Sequence, residues 1–285
     1  MVPGLGQNGP IRFRSHIGRG VDLTLLSNRT IVALTAVALI AGLVLVFAND
    51  ASVWLPVIAA GTTYLVWALA RELDPDRNLT AVVAAVLSTV WVLAGYDVAL
   101  LALGGMILVG RLLVETTGRR PLLTDLAVVA VVATVIAFTP AGWVTGFGLA
   151  VAIFVDDRMA TEHNSRTIVV AVVAALGASV VATLADAIPQ GIPEVRPGLA
   201  IPLGLLALIT VAREPPQPTS QVDSRRKTFL KPGRLHAARI AIALILFGAA
   251  LVSGDDGTAL IPATIALALS LASSEAERVR RTRYR

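Results

Sequence analysis

The chain contains no cysteine. Disulfides, thiolate metal sites and cysteine nucleophiles are therefore excluded. Charge is also scarce. Charged residues fill 15% of the 285 positions, against about 25% in an ordinary soluble domain. Lysine occurs only at Lys227 and Lys231, and histidine only at His16, His163 and His236. The three histidines do not have metal-ligand spacing. No P-loop, HExxH, GxSxG or kinase signature is present. A GxGxxG match at residues 4–9 has no strand before it and no helix after it, and Pro10 follows at once. It reads as coincidence, because a dinucleotide site needs both elements. Residues 1–28 lack the charged, apolar and small-residue regions of a cleavable signal peptide. The first apolar run therefore reads as an uncleaved signal anchor.

What the chain has in abundance is apolar sequence, 55% of all residues, with mean hydropathy +0.76. The clearest unit runs from Arg29 to Asn78. Apolar residues 30–48 lead to an acidic turn at 49–52, a second apolar run follows at 53–70, and a charged stretch closes the unit at 71–78. Each run approaches the ~20 residues that a helix needs to cross a bilayer. The pattern recurs at 79–94 and 98–114, at 122–138 and 143–155, at 167–187 and 199–212, and at 235–252 and 258–272. The runs are continuous and do not alternate, so they read as helices and not as a barrel. The expected fold is an all-α integral membrane protein of about ten transmembrane helices in five hairpins. Some second helices are short, 143–155 above all, and eight or nine spans is the alternative. The expected divisions are a polar tail at 1–28, four hairpins at 29–212, a basic Pro-rich linker at 213–234, a fifth hairpin at 235–272 and a basic tail at 273–285.

The charges set an orientation. On this map every Lys and Arg except Arg196 lies on the side of the two termini and the longer connections. The turn side carries Asp50, Asp97, Asp186, Glu194, Asp255 and Asp256. By the positive-inside rule, both termini face the cytoplasm. The same asymmetry accounts for a pI near 10.4 without nucleic acid. The expected location is the cytoplasmic (inner) membrane, and the arginine-rich, alanine-rich composition suggests a bacterial source. Anionic lipid headgroups are expected partners at the basic face, and a protein partner is possible in principle for the linker and tail.

The spans contain almost no charge at mid-depth, where ion-coupled carriers keep it. Their polar residues are hydroxyls, which can bond back within their own helix. Gly142 and Gly146 form a GxxxG, read as a packing seam. Pro56, Pro202 and Pro262 fall in the first turns of helices two, eight and ten, where a missing N–H costs little.

Polar chemistry is dense only in the cytoplasmic connections. One group comprises Arg71, Glu72, Asp74, Asp76 and Arg77, and a second Arg111, Glu115, Arg119, Arg120 and Asp125. The third comprises Asp156, Asp157, Arg158, Glu162, His163 and Arg166. In a compact bundle these stretches meet. Pooled carboxylates could then hold Mg²⁺ against a substrate phosphate, with arginines gripping the phosphate. The plainer reading is that the charges solvate the membrane exit, in exposed pairs worth under ~1 kcal/mol, and anchor lipid headgroups. The plainer reading is the expectation.

Three functions follow. A small permease-like transporter is the first, since carriers are often built from repeats. The second is an Mg²⁺-dependent membrane enzyme acting on a lipid-linked phosphate at the cytoplasmic face. The placement of acidic stretches after helices two and six resembles that in prenyltransferases of the UbiA type. Asp74-Pro75-Asp76 and Asp156-Asp157 do not reproduce the spaced aspartate motifs of that family, and membership is not implied. The third is a non-catalytic scaffold or accessory subunit.

Overall fold

The computed structural model describes residues 15–18, 21–49, 51–188, 197–220, 229–252 and 258–283. Among them are ten α-helices: α1 (Leu26–Asn49), α2 (Leu55–Leu73), α3 (Asn78–Leu93), α4 (Leu100–Val114), α5 (Leu123–Ile136), α6 (Pro140–Met159), α7 (Ser165–Leu184), α8 (Pro197–Ala212), α9 (Pro232–Val252) and α10 (Ile261–Arg283). The described residues include no β-strand. The GxGxxG match, Arg196 and the turn-side acids Asp50, Glu194, Asp255 and Asp256 lie outside the described residues.

Local signals account for several helix starts. Thr139 accepts the Gly142 N–H at 3.1 Å and Pro140 opens α6, a residue pair suited to a helix N-terminus. Asn164 accepts the Arg166 N–H at 3.0 Å before α7. Two boundaries differ from the hydropathy expectation. Helix α9 begins at Pro232 and takes in Arg234, and α10 runs to Arg283 through the polar tail. Hydropathy marks where lipid-compatible sequence stops, not where helical hydrogen bonding stops. Likewise α8 starts at Pro197, so Pro202 lies inside it and not in its first turn.

Helix α4 lies at the centre. Ten of its fifteen residues are buried, against three of twenty-four in α1. Helix α4 packs on α2, α6 and α9. Helices α1, α3 and α10 pack around α2, while α5 and α7 pack against α6 and each other. The expected pairing of successive helices is realised for α1 with α2 and for α5 with α6. It is not general: α3 packs on α1, α2 and α10, and α4 on α2, α6 and α9.

The inward faces are made of small residues. Helix α7 buries Thr167, Ala171, Ala174, Ala178 and Ala182 at helical spacing. Its outward face shows Val169, Val172, Val173, Leu176 and Val180. Helix α3 does the same with Ala81, Ala84, Ala85 and Ser88 inside and Val83, Val86, Leu87 and Val90 outside. A helix in water places its bulky apolar side chains inward. The reverse order suits a lipid solvent, where close backbone approach drives packing. The GxxxG fits this scheme, because Cβ atoms at Gly142 and Gly146 would strike the Ile136 and Ala133 carbonyls of α5.

Four helices, α1, α7, α9 and α10, are long and apolar enough to cross a membrane. With the outward apolar faces they suggest a membrane protein. Hydroxyls within the helices bond to carbonyls one turn back: Thr63 to Ala59, Thr134 to Ala130, Thr145 to Ala141 and Ser179 to Ala175, at 2.7 to 2.9 Å. Thr63 also meets Thr89 across α2 and α3 at 2.6 Å.

Candidate functional site: a buried ion network and a lateral groove

All three charged groups of the sequence meet at one end of the bundle. Arg111 joins the first two, its Nε donating to Glu72 at 3.2 Å. Arg120 joins the second to the third, donating to the Glu162 carbonyl at 2.8 Å and lying 3.7 Å from Asp157. The expectation that these charges stay exposed is corrected. Glu72, Asp74, Asp125, Asp156 and Asp157 are all buried. Arg71, Arg77, Arg111 and Glu115 are half-buried, while Asp76, Arg119, Arg120, Arg158, Glu162, His163 and Arg166 are exposed. The physical reason is that Glu72, Asp125, Asp156 and Asp157 stand in the terminal turns of α2, α5 and α6 and not in the connections, where arginines and backbone N–H groups partner them.

Two arginines outside those three groups, one at the end of the expected linker and one in the expected ninth span, organise this end. Arg234 and Arg239 stand in the first turns of α9 and are almost fully buried. Arg234 Nη1 donates to Asp156 at 2.7 Å and to the Leu113 carbonyl at 3.0 Å, and its Nη2 lies 3.2 Å from Glu115. Arg239 donates from Nε to the Leu73 carbonyl and from Nη2 to Ser274, both at 2.9 Å. Each arginine thus serves the C-terminal carbonyls of a neighbouring helix, α4 or α2, where positive charge is favourable. The sequence carried one signal for them: two arginines five apart, inside an apolar run that Pro232 opens.

Most acids here already have partners. Asp125 accepts the N–H groups of His16 and Leu122 at 2.9 and 3.1 Å. Asp157 accepts the Asn164 N–H at 2.9 Å and faces His163. Asp74 accepts from Ser273 and pairs with Arg77. Asp76 accepts the N–H groups of Thr219 and Ser220 at 2.8 and 2.7 Å, and the Ser220 hydroxyl. Arg158 lies over the Phe154 ring, and Arg119 lies on the exposed turn after α4. No three His, Asp or Glu side chains among the described residues come together as a metal would require. Asp156 is engaged by Arg234, and Asp157 by Arg120 and the Asn164 N–H.

Burial pushes the Asp74 carboxyl above its ordinary range, and the Ser273 hydroxyl and Arg77 only partly offset it. Glu115 is raised in the same way, against the pull of Arg234. It ends α4 in a left-handed conformation, φ 52°, uncommon for a residue with a side chain. At Asp76 burial acts upward as well, but the bonds from Ser220 and Thr219 together prevail and lower it.

The residues before α1 are tied into this end. Thr117 donates to the His16 carbonyl at 2.7 Å, and Ile17 is buried. Beside them runs a groove along α4. Its apolar part, about 470 Å³, lies between α2, α4 and α5 over Gly104 and Gly105. Its polar part, about 360 Å³, is bordered by Asp22, Tyr64, Trp67, Arg71, Glu72 and Arg111. Tyr64 and Arg111 border both parts. Comparison with family models, characterised proteins and solved structures finds no match for this chain.

Proposed function

We propose that the chain is a multi-pass protein of the cytoplasmic membrane, with ten spans in alternating direction and its charged end in the cytosol, and that it binds a membrane-dissolved amphiphile from the side. Support for the topology comes from the positive-inside bias and from the meeting of the α2, α4 and α6 ends with the α5, α7 and α9 starts through Arg111, Arg120 and Arg234. The observation that carries the functional reading is the α4 groove, apolar over most of its length and charged at one end. Its combined size falls in the range of small-molecule sites. The bundle axis is occupied by packed side chains such as Leu103, Met106, Leu149 and Leu246. That favours lateral entry over an axial path for a water-soluble solute. A permease reading has the number of helices in its favour and nothing more specific.

The absence of native cysteine makes the test direct. Single cysteines at Arg119 and Tyr96 are labelled with a membrane-impermeant maleimide in sealed inverted and right-side-out vesicles. Arg119→Cys should label only from the cytosolic side and Tyr96→Cys only from the other. Native mass spectrometry should then show lipid retained through detergent exchange. Labelling of both positions from one side defeats the topology, and lipid-free protein of full stability defeats lateral binding.

A further inference from the structure

We infer that the chain is fitted to a thin bilayer: around α3, α5 and α6 the hydrocarbon core is drawn down to about 24 Å, sixteen residues of helical rise, and phospholipids with short acyl chains suit it best. This rests on the spanning reading above and adds the class of lipid that fits it.

Lipid meets these helices along three stripes. On α3 the exposed apolar residues are Leu79, Val83, Val86, Leu87 and Val90. On α5 they are Val128, Val131 and Val135, with Phe138 just past its end. On α6 they are Phe147, Val151 and Phe154. Each set keeps the three- and four-residue spacing of one helix face.

Polar groups close the stripes at the charged end. Asp76 and Asn78 are exposed where α3 begins, and Arg119 and Arg120 are exposed ahead of α5. Arg158 is exposed one turn beyond Phe154, and its guanidinium lies back over that ring at 4.9 Å. It does not reach outward as a snorkelling arginine would. The opposite ends carry aromatics, which favour the headgroup level. After α3, Tyr96 is exposed and stacks on Trp91 at 4.0 Å, and Asp97 beside it is exposed too. Phe138 is exposed after α5, and Trp143 is half-buried one turn before Phe147.

The distance between the two ends is short. Helix α3 has 16 residues and α5 has 14, about 24 and 21 Å at the helical rise. Taking in the exposed Leu122 and Phe138 at its ends brings α5 to about 24 Å. Trp143 and Arg158 lie about 22 Å apart along α6 by the same rise. An ordinary hydrocarbon core is about 30 Å thick. Tilting a helix reduces its projected length, so these lengths are upper bounds. The longer helices do not oppose this. Helix α1, with 24 residues, fits a thin core by tilting, whereas a short helix cannot reach across a thick one. The bilayer is therefore the component that yields.

The test reconstitutes the full chain in dimyristoleoyl, dioleoyl and dierucoyl phosphatidylcholine, which differ only in chain length. The melting temperature should be highest in the first lipid and fall at each step. Spin labels on the single-cysteine variants Asn78→Cys, Val86→Cys and Ala94→Cys then report depth along α3 in dioleoyl bilayers. Val86 should lie at the centre, with Asn78 and Ala94 both at headgroup level. A shallow Val86 shows that α3 does not cross and overturns the spanning reading itself. A central Val86 with Asn78 or Ala94 inside the hydrocarbon overturns the thinning alone. A melting temperature that ignores chain length, or peaks in either longer lipid, also overturns the thinning alone.

Discussion

Arg234 and Asp156 meet at 2.7 Å, and each side chain is only 5% exposed. A buried pair of this kind contributes little net stability relative to a well-packed apolar pair, because desolvation offsets the attraction. Breaking one side is different, since the remaining charge stays buried. Arg234→Met leaves Asp156 and Glu115 uncompensated and should cost about 3–5 kcal/mol. The triple change Arg234→Met, Asp156→Leu, Glu115→Gln should recover most of that loss. Chemical unfolding in detergent micelles measures both. Equal losses in the two variants would show that the pair is a net stabiliser.

Asp74 and Asp76 should respond to pH with opposite signs. Asp76 is lowered in the fold, so its contribution is present above the ordinary value of 3.8 and is lost as pH falls through the lowered value. Asp74 is raised, so the fold holds its proton more tightly than the unfolded chain does. Its effect is a loss of stability as pH rises from 3.8 to the raised value. Asp74→Asn should flatten the stability profile above pH 3.8. Asp76→Asn should flatten it below that value and loosen the contact with Thr219 and Ser220. Melting curves across the acid range decide, and a profile unchanged by either substitution contradicts the assignment.

The paired glycines of α4 should behave differently. Gly105→Val forces the side chain against Thr145 and Ile136 and should cost about 1–3 kcal/mol by overpacking. Gly104→Ala enters open space and should stabilise by about 0.4–1 kcal/mol through the unfolded state. Thermal unfolding of the two variants side by side is sufficient.

Leu176 is 62% exposed near the middle of α7. In water, Leu176→Arg would be close to neutral. In a bilayer it should cost about 2.5–3.5 kcal/mol on the insertion scale. Membrane insertion efficiency of the full chain reads the difference, and unimpaired insertion would argue that this face does not contact lipid.

The helical architecture was legible because continuous apolar runs report directly on span-like helices. Their packing was not. Nothing in the run 79–94 says that α3 prefers α10 to α4, since alanine stripes such as Ala81, Ala84 and Ala85 fit any small-residue partner. The charged residues of the polar end were legible as a set, but their burial was not. Asp156 and Asp157 look like a solvated turn until the folded chain brings Arg234, 78 residues away, against the first of them. Arg239 was missed for a related reason. Its acceptor is the Leu73 carbonyl, and a backbone oxygen leaves no trace in residue type. The groove was invisible as well, because Gly104 and Gly105 are the same letter in opposite surroundings.

The alanine faces of α3 and α7 have a mechanical consequence. Alanine has no side-chain rotamers to exchange. A seam built from Ala171, Ala174, Ala178 and Ala182 therefore has few internal degrees of freedom with which to absorb a strain. Its fixed point is the start of the helix, where Asp157 accepts the Asn164 N–H and Asn164 the Arg166 N–H.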